Sequence, residues 1–318
     1  TCDVTDSSLN DMSNLFDGKS SFNQDLSAWD TSSVTSMYRM FYNATSLTSV
    51  TLPTTGSVTD MGQMFDGATS LTNVSLPTTG NVTSMFKMFY DTPNLTTVSL
   101  PETGAVTNMY RMFDSATAIT SVTLPTTGNV TNMNRMFSNA TSLTSVSLPT
   151  TGNVTDMYKM FDGATAITSV TLPTTGNVTN MYKMFDGATN LTTVSLPETG
   201  AVTTMSTMFQ GATAFNQDIR GLDVSAVTDF YNMFNGATAM ATAFDSTSNW
   251  PADDSTPTSA WFRDVIAPTL SSVSIASSNA TPTQAVENDV VTLTLTASET
   301  ISTPVVTFKS GAVAITDT

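Results

Sequence analysis

Histidine is absent from this 318-residue chain, and cysteine occurs once, at Cys2. With one thiol no internal disulfide can form. Without histidine, Ser-His-Asp and Cys-His nucleophile systems and His-bearing zinc sites are excluded. Basic residues are scarce: Lys and Arg number 10 against 26 Asp and Glu, a net charge of −16. Binding to nucleic acid needs a basic surface to meet phosphates, so that class is set aside. No apolar run approaches the roughly 18 residues of a membrane helix, so no direct membrane insertion is expected. Thr1-Cys2-Asp3 is neither an initiator Met nor the start of a signal peptide and reads as a mature or trimmed terminus. The hydrophobic fraction, 40%, is enough to build a core.

What the chain has in abundance is repetition. Phenylalanine recurs at Phe16, Phe41, Phe65, Phe89, Phe113, Phe137, Phe161, Phe185, Phe209 and Phe234. The spacings are 25, then seven of 24, then 25, and Met precedes each Phe directly from Phe41 to Phe209. A fixed period of this length marks a solenoid, whose coils bury their apolar faces only by stacking. Within residues 47–70, Val50 and Leu52 alternate at period 2 as the inward residues of a short strand. Pro53 closes the strand, and Thr54-Thr55-Gly56 reads as a turn. Val58 points inward again. Thr59 fits a helix N-cap, Met61, Met64 and Phe65 follow at i, i+3 and i+4, and Gly67 fits the helix stop. The expected architecture is α/β: a solenoid of about ten coils with a parallel β-sheet on one face and short helices on the other. The Met and Phe columns read as core.

The coil resembles the BspA-like class of leucine-rich repeat, in which LxxVxLP is followed by a turn and an amphipathic stretch ending in an aromatic. The flanking coils resemble a related mycoplasma-lipoprotein-type surface repeat. The stretch from Phe22-Asn23-Gln24-Asp25-Leu26 through Trp29 to Val34-Thr35-Ser36-Met37 carries that pattern, and Phe215-Asn216-Gln217-Asp218-Ile219 repeats it with Leu222 in place of Trp. The resemblance covers about residues 3–245. It implies a secreted or surface-anchored protein of adhesion or recognition, located extracellularly at a cell surface.

The domain reading is a solenoid over residues 1–245, a capping segment and linker over 246–266, and an incomplete module over 267–318. Trp250, Trp261 and Phe262 are placed to cover the open end of the stack. Residues 270–275, 290–296 and 305–308 alternate as strands of a β-sandwich. The stretches Val273–Asn279 and Val291–Glu299 resemble bacterial immunoglobulin-like surface modules. Such a fold needs roughly 100 residues, so either the natural chain is longer or a neighbouring molecule supplies strands.

Three sets of columns are candidates for function. The strand face presents small hydroxyls, among them Thr97, Thr123 and Thr171. The opposite face presents a basic column, with Arg111, Lys159 and Lys183, beside an aromatic one with Tyr110, Tyr158 and Tyr182. Asp114, Asp162 and Asp186 lie three residues after those cations, and Asp156 three before Lys159, in position to neutralise them. Sequons for N-glycosylation occur at Asn43, Asn73, Asn81, Asn94, Asn129, Asn139, Asn153, Asn177, Asn190 and Asn279. No cofactor, catalytic or metal-binding cluster is expected; Glu287-Asn288-Asp289 is at most a weak calcium contact. The leading expectation is a non-enzymatic surface protein whose partner is a host or neighbouring-cell protein or a glycan. The alternative is a structural subunit of an extracellular fibre or coat, a homopolymer joined end to end or by strand completion.

Overall fold

The computed structural model describes residues 10–247, 249–262, 270–278, 291–297, 309–310 and 313–314. Two compact units are present, Thr1–Asp264 and Val265–Thr318.

The first unit is a parallel solenoid. Its strands are β1 (Ser49–Thr51), β2 (Asn73–Ser75), β3 (Thr97–Ser99), β4 (Ser121–Thr123), β5 (Ser145–Ser147), β6 (Ser169–Thr171) and β7 (Thr193–Ser195). Pairing is in register along the column Val50↔Val74↔Val98, and again for Val122↔Val146 and Val170↔Val194. In each strand the valine faces in and its two neighbours face out. A second line of bridges joins equivalent residues from Asp11 and Ser36 through to Thr204 and Asp229, so the stacking extends well beyond the strands at both ends.

The helices expected on the opposite face are not there. Residues 61–68 form a chain of tight turns instead. The amides of Met61, Gln63, Phe65 and Gly67 donate across to Ser84, Phe86, Met88 and Tyr90 of the next coil at 2.7–3.2 Å, while those of Met64, Asp66 and Ala68 donate three residues back within their own coil. Alternate amides therefore serve stacking, and an α-helix, which keeps them all to itself, cannot form. Gln63 also stands in the left-handed region at φ 54°, outside the α-helical range. Thr59 is not an N-cap: its amide and hydroxyl both donate to Thr35 O of the preceding coil, at 2.8 and 3.2 Å. Gly67 does lie where expected in kind, at φ 74°, in a column of left-handed residues shared with Asn43, Asp91, Ser115 and Asn139.

The whole basic column is left-handed too, including Arg39, Lys87, Arg111, Arg135, Lys159 and Lys183. Thr207 occupies the same place at φ 54°, where a β-branched residue is strained. Thr207→Asn is expected to raise stability by about 1 kcal/mol, since Asn tolerates this region. A urea midpoint that does not rise would contradict it.

The core is the stacked spine. Phe41, Phe65, Phe89, Phe113, Phe137, Phe161, Phe185 and Phe209 are fully buried. Successive rings stand 5.3–5.6 Å apart with their planes within 12° of parallel. The Met columns are buried around them. Stacked pairs add about 0.5–1.5 kcal/mol each beyond their burial. At one end Phe16, Phe22 and Trp29 close the spine. At the other, Phe234 meets Trp250 and Trp261, each at 5.5 Å, and Phe262 packs on Phe230 at 5.3 Å. Two short helices, α1 (Thr238–Phe244) and α2 (Ser259–Phe262), supply Phe244, Trp261 and Phe262 to this cover.

A column that reads as plain turn in the sequence is a buried ladder. Thr55, Thr79, Thr103, Thr127, Thr151, Thr175 and Thr199 are at most 2% exposed. Each donates its hydroxyl to the backbone carbonyl of the next coil: Thr55 to Thr78, Thr127 to Thr150, Thr199 to Asp223. The amide of that same next-coil residue commonly donates back, as from Thr150 to Thr127 Oγ1 at 3.2 Å.

In the second unit, β8 (Leu270–Ser277) pairs antiparallel with β9 (Val291–Ala297), and β10 (Lys309–Ser310) with β11 (Val313–Ala314). The first two match the expected strands. Residues 305–308 and 287–289, and the sequon at Asn279, lie outside the described residues.

Candidate functional site

The nine residues singled out from the sequence fall on two faces. Thr97 begins β3, while Thr123 and Thr171 end β4 and β6; all three are exposed, in the lattice of outward hydroxyls around the inward valines. Tyr110, Arg111, Tyr158, Lys159, Tyr182 and Lys183 belong to the turn face, half-buried.

On that face the coil spacing stacks side chains as it stacks the core. Tyr158 and Tyr182 are 5.3 Å apart at 9°, and Phe86 and Tyr110 are 5.5 Å apart at 11°. Cations lie over the rings: Lys87 and Arg111 approach Tyr90 at 4.9 and 4.6 Å, and Arg135 approaches Tyr158 at 5.6 Å. Three of the cations are paired three residues along: Arg111 with Asp114 at 2.8 Å, Lys159 with Asp162 at 3.1 Å, and Lys183 with Asp186 at 2.9 Å. Asp156 serves the backbone instead, accepting from the Tyr158 amide at 2.9 Å, and it also accepts from Asn134 Nδ2 at 3.3 Å. Such ion pairs are worth about 0–1 kcal/mol each and cation–ring contacts about as much.

Burial pushes the Asp162 carboxyl above the usual range, against the opposing pull of Lys159. Burial also pushes Asp66 up, against the hydrogen bond from Gln63. A carboxyl raised in the folded state weakens the fold as it ionises. Asp66, 5% exposed, therefore costs stability above the carboxylate range and not below it. Asp66→Asn is expected to have a higher urea midpoint than the parent at pH 7, with the gap closing near about pH 3, where the parent carboxyl is neutral. An equal gap at both pH values would contradict this. Asp218 works in the opposite sense: its hydrogen bond from Arg220 lowers it, so its contribution is present at neutral pH and lost in acid.

Four of the sequon asparagines form their own ladder. The side-chain amides of Asn81, Asn129, Asn153 and Asn177 donate to Gly56, Gly104, Gly128 and Gly152 O of the preceding coil at 2.5–2.6 Å. Asn94 does the same to Thr69 O at 2.8 Å. Asn43 and Asn139 are left-handed positions, and Asn73 and Asn190 are exposed.

The sequence reading missed what the FNQD segments do. Gln217 Nε2 donates to Val194 O at 3.0 Å, and Val194 N donates to Gln217 Oε1 at 2.7 Å. The carboxamide thus takes the place of a peptide group and ends the sheet at β7, satisfying an edge that invites pairing. At the other edge Asn23 Oδ1 accepts from the Thr48 amide and hydroxyl at 3.1 and 3.2 Å. Open grooves of about 220 and 280 Å³ lie beside the two segments. The signal was the position of FNQD next to the first and last strand.

A family model matches residues 3–75, 59–172 and 155–271, which spans the solenoid and its cap. The chain belongs to the DUF285 family. That family is described as Mycoplasma protein of unknown function. No curated protein matches the chain. Solved structures similar to it include a T. pallidum leucine-rich repeat protein, at 22% identity over 51% of this chain and 63% of that one, TM-score 0.31. A leucine-rich repeat protein from Eubacterium ventriosum is 16% identical over 70% and 67%, TM-score 0.41. A leucine-rich cell surface protein from Faecalibacterium prausnitzii is 18% identical over 65% and 75%, TM-score 0.33. The chain spans just under two thirds of the T. pallidum protein. Among the described residues of this DUF285 chain no group of three or more His, Cys, Asp or Glu is gathered to hold a metal ion, and no helix is long and apolar enough to cross a membrane.

Proposed function

We propose that this DUF285 chain is an extracellular recognition module at a cell surface, non-enzymatic, which holds a glycan or a partner protein along the faces of its solenoid. The observation that carries this reading is the turn face, where Phe86 stacks on Tyr110 and Tyr158 on Tyr182 at 5.3–5.5 Å, with Arg135 over Tyr158 and Arg111 over Tyr90 beside them. Sugar rings and protein side chains can pack on the edges of these pairs and on the outer faces of their end rings. The strand face adds a neutral lattice of hydroxyls for broad, weak contacts. The antiparallel pairs of the second unit support reading it as part of an immunoglobulin-like sandwich.

The fibre reading has less support. Aromatic residues cover both ends of the spine, and Gln217 satisfies the sheet edge, so coil-on-coil polymerisation would first have to uncover them. Surface-immobilised glycans and extracellular matrix proteins, screened against the chain, should yield at least one saturable binder. A panel that stays blank up to about 1 mM, where binding is worth only about 4 kcal/mol, sinks the proposal.

A further inference from the structure

The aromatic column runs Tyr38, Gly62, Phe86, Tyr110, Asn134, Tyr158, Tyr182, Ser206, Tyr231. Three coils lack a ring. At Gly62 the ring of Tyr38 leans in, 3.3 Å from where a Cβ would sit, and fills the place. At Ser206 the side chain is 3% exposed and its hydroxyl donates to Tyr231 O. Asn134 is different. It separates two stacked pairs, Phe86–Tyr110 and Tyr158–Tyr182, so the facing rings of Tyr110 and Tyr158 are two coils apart instead of one. The shorter Asn134 side chain thus leaves a notch in the ladder where neighbouring coils carry a ring.

The same coil breaks the charge pattern. Position 138 is Ser where the coils of Arg111, Lys159 and Lys183 carry Asp. Arg135 makes no ion pair among the described residues; its guanidinium lies beside the notch, 5.6 Å from the Tyr158 ring. Asn134 Oδ1 is buried without a donor, and its Nδ2 donates to the Asp156 carboxylate at 3.3 Å. One coil of an acidic protein thus brings together a missing ring and a guanidinium without an ion pair among the described residues.

We infer that the notch at Asn134 takes one carboxylated sugar ring, a uronate or a sialate, its carboxylate on Arg135 and its ring between Tyr110 and Tyr158. Arginine meets carboxylate with two parallel hydrogen bonds, and the rings offer apolar faces to the pyranose. This deepens the recognition reading and rests on it.

The repeat supplies the test. Asn134→Tyr with Ser138→Asp restores what neighbouring coils carry, so it should fold at least as stably as the parent while closing the notch and pairing Arg135. Calorimetric titration would compare a hyaluronan tetrasaccharide and sialyllactose with the neutral sugars chitotetraose and lactose. The parent is expected to prefer an acidic probe by about tenfold, the scale of one charge-assisted contact. Hyaluronan alone assigns a uronate and sialyllactose alone a sialate; either supports the inference. Arg135→Gln and the double variant should both lose the preference with unchanged circular dichroism. Equal or absent binding of all four probes by the parent overturns the notch, as does a preference that survives in the double variant. If Tyr182→Ala weakens binding and the double variant does not, the ladder reading stands and the notch falls.

Discussion

Replacing Phe137 by alanine is expected to lower the unfolding free energy by about 3–5 kcal/mol, among the largest single-residue effects in the chain. Phe137 is fully buried and lies between Phe113 and Phe161 at 5.6 and 5.5 Å. Its loss removes two stacked contacts and leaves a cavity that neither neighbouring coil can close. Both are fixed by backbone hydrogen bonds on either side of the gap, such as Phe113 N to Met136 O and Phe137 N to Met160 O, each 2.9 Å. Phe137→Leu, which keeps most of the volume, should cost about 1–1.5 kcal/mol. Urea unfolding of the three proteins checks this. A Phe137→Ala loss below about 1 kcal/mol would mean that the spine relaxes as an ordinary core does not.

Deleting residues 125–148, one whole coil, should leave a folded protein, whereas deleting residues 125–136 should abolish folding. The whole-coil deletion joins Leu124 to Pro149, which preserves the Leu-Pro junction, and brings each column onto its own kind. Thr103 then meets Thr151, and Phe113 meets Phe161. The half-coil deletion joins Leu124 to Phe137 and sets strand residues against turn residues, so neither the valine register nor the amide ladder can continue. Circular dichroism and size exclusion distinguish the two. A folded half-coil variant would contradict the stacking account. The whole-coil deletion also sets Tyr110 directly beside Tyr158, so it should close the notch at Asn134 as the double substitution does.

The strands, the spine and the end covers were legible because each depends on residue type at a fixed place: Val and Leu ahead of Pro, Phe after Met, Trp250 and Trp261 past the last coil. The helices were misread for a physical reason. Met61, Met64, Phe65 and Ala68 all point inward, and that spacing is met equally by an α-helix and by a chain of turns with a left-handed residue at Gln63. What decides between them is where the amides of Gln63 and Phe65 go, and their partners Phe86 and Met88 belong to the next coil. A reading of one coil contains no such term. Thr127 and Gln217 were passed over for the same cause: their acceptors, Thr150 O and Val194 O, lie 23 residues away. The cation–carboxylate pairs were local, three residues apart, and Arg111–Asp114, Lys159–Asp162 and Lys183–Asp186 lie as the spacing indicated.

The turn-face ladder is most directly tested by truncating its tightest ring pair. Tyr158→Ala with Tyr182→Ala removes two half-buried rings outside the spine, so folding should persist, as a near-parental urea midpoint would show. Binding to any glycan or matrix protein captured by the parent should weaken about tenfold or more, the effect of losing two ring contacts of about 1 kcal/mol each. Unchanged affinity in a folded double variant would contradict recognition through this face.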